Sequence, residues 1–87
     1  MFNILLSNKA EKFLKKIDSV KREKIKLKLK LLVDFPDCNL DIIKIIGEDD
    51  TYRVRIGKIR VLFVISQKGE ELIIVDIDFR GNIYKSV

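Results

Sequence analysis

Tyr52-Arg53-Val54-Arg55-Ile56-Gly57-Lys58-Ile59-Arg60-Val61 reads as two short strands joined by a turn, with apolar residues and arginines in alternation. Successive side chains on a strand point to opposite faces, so Tyr52, Val54 and Ile56 can face a core while Arg53 and Arg55 project together from the other side. Gly57-Lys58 is the turn, and a two-residue loop sets the register of a hairpin. Arg60 on the return strand is therefore expected close to the Arg53/Arg55 pair. Three guanidinium forks on a rigid sheet suit a polyanion. The plainer reading is exposed strand charge that discourages edge-to-edge aggregation.

After the hairpin's turn, Ile59 to Ser66 is the return strand, Gln67 to Glu70 a turn containing Gly69, and Leu72 to Phe79 a strongly apolar strand. On the N-terminal side, Leu40 to Ile46 is a strand candidate closed by Gly47, and Glu48-Asp49-Asp50 is an acidic loop leading into the hairpin. Phe2 to Ser7 reads as a first short strand. Asn8 with Glu11 three residues later gives a capping-box signature, and Ala10, Phe13, Leu14 and Ile17 follow at the spacing of one helical face. Asp18-Ser19 breaks and recaps the chain for a second helix toward Asp34.

That second segment alternates Lys with Ile or Leu from Lys24 to Leu31, which is the period of a strand. Lys and Leu are good helix formers, and the segment is longer than a typical strand, so a helix is expected. At 100° per residue Ile25, Leu29, Leu32 and Val33 share one face, and Val20, Leu27 and Leu31 gather nearly opposite. One apolar stripe would cover the sheet, the other the first helix or a partner. Phe35-Pro36 ends the helix, because proline disfavours helical geometry in the residue before it. The element order is βααββββ. The fold class is α+β, with two N-terminal helices packed on one face of a small, mostly antiparallel twisted sheet.

The 87 residues make one domain, 1–87, whose function must sit on a surface or in a shallow groove. The single Cys38 forms no internal disulfide, and the absence of His removes the usual zinc ligand sets, so no metal or cofactor is expected. The apolar stretch Phe2 to Leu6 is too short for a signal sequence, and no run could span a bilayer, which points to a cytoplasmic protein without a membrane partner. A net charge of +5 favours an anionic partner. Residues 1 to 35 carry 9 Lys and 1 Arg against 4 acids, whereas residues 36 to 87 carry 4 Lys and 4 Arg against 9. The arginines, planar and multidentate, thus concentrate where total charge is balanced, and the lysines suit solubility and long-range steering.

Catalytic groups must come from a short inventory: Arg53, Arg55, Arg60, Arg80, Lys44, Lys58 and Tyr84. Cleavage of an RNA phosphodiester fits it. The ribose 2′-OH supplies its own nucleophile, so the protein need only align it, stabilise the equatorial oxygens and move two protons. Arginines stabilise charge but are poor bases. Tyr84 is a candidate for proton transfer or base stacking, and also an ordinary packing residue near the C-terminus. Lys58 and Lys44 are further candidates for proton transfer and RNA contact. Lys26 and Lys30 on the second helix are expected to contribute salt-sensitive binding. Asp76 and Asp78 are expected to orient arginines on adjacent strands, since a metal nuclease usually needs a third acidic ligand.

Lys44-Ile-Ile-Gly47, the hairpin Tyr52 to Phe63, and Phe79-Arg-Gly-Asn-Ile-Tyr84 together resemble the RelE/ParE superfamily of toxins from type II toxin–antitoxin systems. The likeness covers nearly the whole chain and includes the helices ahead of the sheet. In RelE-type members it implies a ribosome-dependent endoribonuclease that enters the A site and cuts translated mRNA by 2′-OH attack on the adjacent phosphate. By matching position, Arg53 and Arg55 stand where the family places basic residues, often Lys, that contact phosphate or assist proton transfer. Arg60 matches the arginine that stabilises transition-state charge, and Arg80 and Tyr84 match the C-terminal basic residue and tyrosine. With Arg at both hairpin positions, the proton acceptor stays open. The resemblance further implies a cognate RelB-like antitoxin in a heteromeric complex, with ribosome and mRNA as the other partners. ParE-type relatives share the fold but inhibit DNA gyrase, and a third possibility is an inactive chain that only binds antitoxin.

Overall fold

A computed structural model describes residues 1–79 of the chain. The first strand, β1 (Asn3–Leu6), leads into helix α1 (Asn8–Lys16), and a sharp corner at Ile17-Asp18 into α2 (Ser19–Lys30). The cap of α1 is Ser7 rather than the expected Asn8, which is the helix's first residue. Ser7 is fixed in extended geometry by the neighbouring strand, so its hydroxyl is the one placed to accept from the Ala10 N–H at 3.1 Å. Asp18 caps α2 as expected, accepting from Lys21 N–H at 2.9 Å. At the corner, Arg22 Nε donates to the Leu14 carbonyl at 2.7 Å and Nη2 to the Ile17 carbonyl at 3.0 Å. One guanidinium thereby satisfies carbonyls that the end of α1 would otherwise leave open, and pins the two helices together.

The Lys/Leu alternation is indeed helical: Ile25 and Leu29, one turn apart, are buried, and Leu32 joins them from a 3-10 turn, Leu31–Asp34, that finishes the helix. Phe35 is extended before Pro36, as proline requires. The other stripe is left outside, with Val20 65%, Leu27 63% and Leu31 44% exposed. No helix among the described residues is long and apolar enough to cross a membrane.

The four remaining strands are β2 (Asp41–Lys44), β3 (Thr51–Ile56), β4 (Ile59–Ile65) and β5 (Glu71–Phe79). The sheet runs β1-β5-β4-β3-β2, with β1 parallel to β5 and every other pairing antiparallel. Both helices contribute to one core with Val54, Val61, Phe63, Leu72, Ile74 and Ile77, all from a single face of the sheet. Tyr52 stacks on Phe63 at 5.5 Å between centroids, and Phe35 meets both rings edge-on at 4.9 and 5.3 Å. Fully burying a side chain such as Phe63 or Leu72 stabilises by roughly 1.5–3 kcal/mol, and these rings knit the C-terminal end of α2 to the middle of the sheet.

One irregularity fixes the functional face. Leu62 stands opposite Asp76, but its neighbour Phe63 stands opposite Ile74, so Val75 is an extra residue bulged out of β5. Leu72 and Ile74 point into the core, and strict alternation would send Asp76 and Asp78 after them. The bulge reverses the parity, putting Ile77 in the core and both aspartates on the opposite side. Ser7 accommodates it: its N–H donates to the Ile74 carbonyl and its hydroxyl to the Val75 carbonyl, each at 2.9 Å.

Candidate nucleic-acid interface

Gly57 adopts a left-handed φ of +57° in the expected two-residue turn, which closes the hairpin with Ile56 opposite Ile59. That register brings Arg55 directly opposite Arg60, and Arg53 opposite Leu62. All four project from the face away from the helices. Two like charges facing each other across strands are mutually unfavourable. Each is flanked by an acid: Asp41 is opposite Arg55 on β2, and Asp78 is opposite Arg60 on β5. A single cross-strand row therefore reads Asp41, Arg55, Arg60, Asp78. Within it, Arg55 Nη2 lies 2.8 Å from Asp41 Oδ2, with both side chains about half exposed (46% and 47%). Such a pair contributes about 1 kcal/mol or less to stability, because water and salt screen it.

Beside the row the floor is dry. Leu62 and Asp76 are buried on the same face, and the Asp76 Oδ2 lies 3.2 Å from Lys9 Nζ at the start of α1. Asp76 thus ties α1 to the bulge, while Asp78 is the aspartate in register with an arginine; the Phe79 N–H donates to its Oδ1 at 2.7 Å. Arg53 and Arg60 are half-buried against this floor and Arg55 is exposed. Charges held over apolar surface act on a bound phosphate with less screening than charges in open water.

The candidate lysines divide. Lys58 sits in the hairpin turn, at the end of the arginine face. Lys44 does not join that face: it is opposite Tyr52 and so points to the helix side, because Asp41 and Ile43 take the arginine-facing positions of β2. Lys26 and Lys30 flank α2 toward β1, beside Ile4, Leu6 and Ile74, and also lie on the helix side. The lysines that approach the hairpin are others. Lys21, Lys24 and Lys28 rim a groove of about 460 Å³ between α2 and the hairpin tip, with Lys58 on its far bank and Leu27, Ile56, Ile59 and Phe79 among its lining. Which flank of α2 meets the hairpin depends on the helix's rotation and crossing over the sheet, which its lysine spacing does not encode. Asp41 was equally hidden, since its register comes from the irregular loop between β2 and β3. Arg80 and Tyr84 lie outside the described residues. Among the described residues, no three His, Cys, Asp or Glu side chains converge as a metal-binding group.

An arginine-bearing, mostly antiparallel sheet backed by two N-terminal helices defines a class, and the family model described as "ParE toxin of type II toxin-antitoxin system, parDE" matches residues 4–84. The chain belongs to the RelE/ParE superfamily of toxins from type II toxin–antitoxin systems. Within it, the chain is similar to the RelE branch: it is 33% identical over 87 residues, 98% of its length and 97% of the relative's, to "Putative toxin RelE1" of Methanocaldococcus jannaschii. Among solved structures, it resembles the RelB-RelE antitoxin-toxin complex from Methanococcus jannaschii with a TM-score of 0.73 and 27% identity, covering 94% of this chain and 96% of that one. The archaeal RelE-RelB complex from Pyrococcus horikoshii OT3 gives a TM-score of 0.76 at 23% identity, over 92% and 96% of the two chains. The isolated E. coli RelE toxin gives 0.74 at 19%, over 99% and 94%. At those last two identities the likeness speaks for the fold alone.

Proposed function

We propose that this toxin is a ribosome-dependent mRNA endoribonuclease that acts in the cytoplasm, cleaves mRNA in the A site and so inhibits translation. The observation that carries the reading is the register of the hairpin, which presents Arg55 and Arg60 side by side, with Arg53 one step along the same face. Two adjacent guanidinium forks match the non-bridging oxygens of one phosphate, and a third reaches its neighbour. In the reaction the 2′-oxygen attacks phosphorus as the bond to the 5′-oxygen breaks, leaving a 2′,3′-cyclic phosphate and a 5′-OH. Charge grows on the equatorial oxygens, and Arg60 is the residue we assign to stabilise it. Arg80 is the further candidate for charge stabilisation, and Tyr84 for proton transfer or base stacking.

The partner we assign is a RelB-like antitoxin. The exposed stripe of α2 runs through Leu27 into the lysine-rimmed groove at the hairpin, giving an apolar strip bordered by cations. An amphipathic acidic segment is its complement. The relative from Methanococcus jannaschii, solved with RelB and 27% identical to this chain, supports this choice.

The test adds purified wild type and Arg60→Ala to ribosomes programmed with a defined mRNA and, separately, to naked mRNA. Cuts on ribosomes only, in codon register and lost in the variant, are expected. The ParE description of the matching family favours gyrase inhibition as the second reading. Loss of gyrase supercoiling activity without RNA cleavage would replace the first reading with it.

A further inference from the structure

The row Asp41, Arg55, Arg60, Asp78 carries two positive charges between two negative ones, so the row itself is close to neutral before any ligand arrives. Asp41 belongs to the edge strand, is about half exposed, and makes its 2.8 Å contact through one oxygen to one terminal nitrogen of Arg55. A guanidinium has five donors, so the remaining edge of Arg55 stays available to an incoming oxyanion. The pair is too exposed to matter much for folding. Its consequence lies elsewhere: a phosphate that takes both terminal nitrogens of Arg55 must displace the carboxylate.

We infer that Asp41 is a positioning residue that competes with phosphate for Arg55 and weakens the platform's hold on unselected polyanions. The inference rests on the proposed phosphate-binding role of the arginine face, and names the residue that regulates it. Physically, the carboxylate keeps the guanidinium extended along the row and sets a threshold that a lone phosphate in solution meets poorly. A phosphate delivered with further contacts, as on a strand held in place by other surfaces, passes it more readily.

The test uses inorganic pyrophosphate as the probe, titrated into isotope-labelled protein while the Arg55 Nε–Hε resonance is followed by NMR. Asp41→Asn is expected to bind about three- to fivefold more tightly than wild type, the range that an exposed ion pair supports. Asp41→Glu, which restores the charge, should return toward wild type. Glu23→Gln changes net charge equally on the exposed surface of α2 and should leave the affinity unchanged. Equal affinities for wild type and Asp41→Asn, or equal gains in Asp41→Asn and Glu23→Gln, would overturn the inference. On programmed ribosomes, Asp41→Asn should lower KM more than it changes kcat. If wild type neither cleaves nor binds RNA, the proposed nuclease function fails while the pyrophosphate comparison still decides the role of Asp41.

Discussion

Arg60 is flanked by Arg55 on one strand and Asp78 on the other, so its guanidinium is held in a defined place by the sheet rather than by a flexible loop. Groups preorganised where charge develops carry large shares of a barrier, and removing one donor typically costs 10²–10³ in rate. Arg60→Ala is therefore expected to lose about 10² or more in single-turnover cleavage on programmed ribosomes, and Arg60→Lys to recover only part, because an ammonium keeps the charge but not the planar fork. Unchanged cleavage in Arg60→Ala would remove it from the mechanism. Ser7 is the structural counterpart at this scale. Its hydroxyl caps α1 and bonds the bulged Val75 carbonyl, so Ser7→Ala is expected to destabilise the fold by about 2 kcal/mol in urea unfolding, the sum of a lost cap and an orphaned carbonyl.

Between residues and the whole, the bulge in β5 is the element that converts an apolar strand into half of a charged row. Deleting Val75 would remove the extra residue and let a regular strand keep the same facing, with Leu72, Ile74 and Ile77 toward the core and Asp76 and Asp78 on the arginine side. The deletion is therefore expected to keep cooperative unfolding by circular dichroism, as is Val75→Ala; loss of cooperative unfolding in the deletion alone would show that the bulge is needed for more than parity. The hairpin was legible because Gly57-Lys58 and the Tyr/Val/Ile against Arg alternation agree on one register. The two stripes of α2 were legible because 3.6-residue spacing sorts Ile25 and Leu29 from Val20 and Leu27 despite the misleading period of two. The bulge was not: Leu72 to Val75 is apolar at every position, so nothing before Asp76 marks which of these residues face the core or where parity breaks. The cap shifted from Asn8 to Ser7 for a similar reason, since the choice is made by hydrogen bonds to a strand distant in sequence.

Among the described residues charge is separated by kind: Arg53, Arg55 and Arg60 lie on the open face of the sheet and the lysines mainly along the helices, where Arg22 holds the corner, with the hairpin tip where the two meet. The lysines that reach that junction are Lys21, Lys24, Lys28 and Lys58, whereas Lys26 and Lys30 flank the opposite side of α2. Removing a lysine that neutralises a phosphate lowers the slope of log affinity against log salt by about 0.7 on single-stranded nucleic acid. Lys24→Ala and Lys28→Ala should show this on RNA, and Lys26→Ala and Lys30→Ala less. The same junction holds the apolar strip assigned to the antitoxin, so the two proposed functions, inhibition and RNA binding, would draw on neighbouring surfaces while the arginine row stands on the far face. Leu27 separates the two demands, being 63% exposed and part of the groove lining yet absent from the core. Leu27→Asp should leave thermal stability nearly unchanged, because exposed positions tolerate substitution within about 0.5 kcal/mol. It should also weaken antitoxin binding by tenfold or more, since a carboxylate desolvated against an apolar partner is costly. Calorimetric titration with the cognate antitoxin reads the affinity, and cleavage by the free variant reads the other face. A variant that binds antitoxin like wild type would move the contact off this strip; one that also fails to cleave would show that the two faces are not independent.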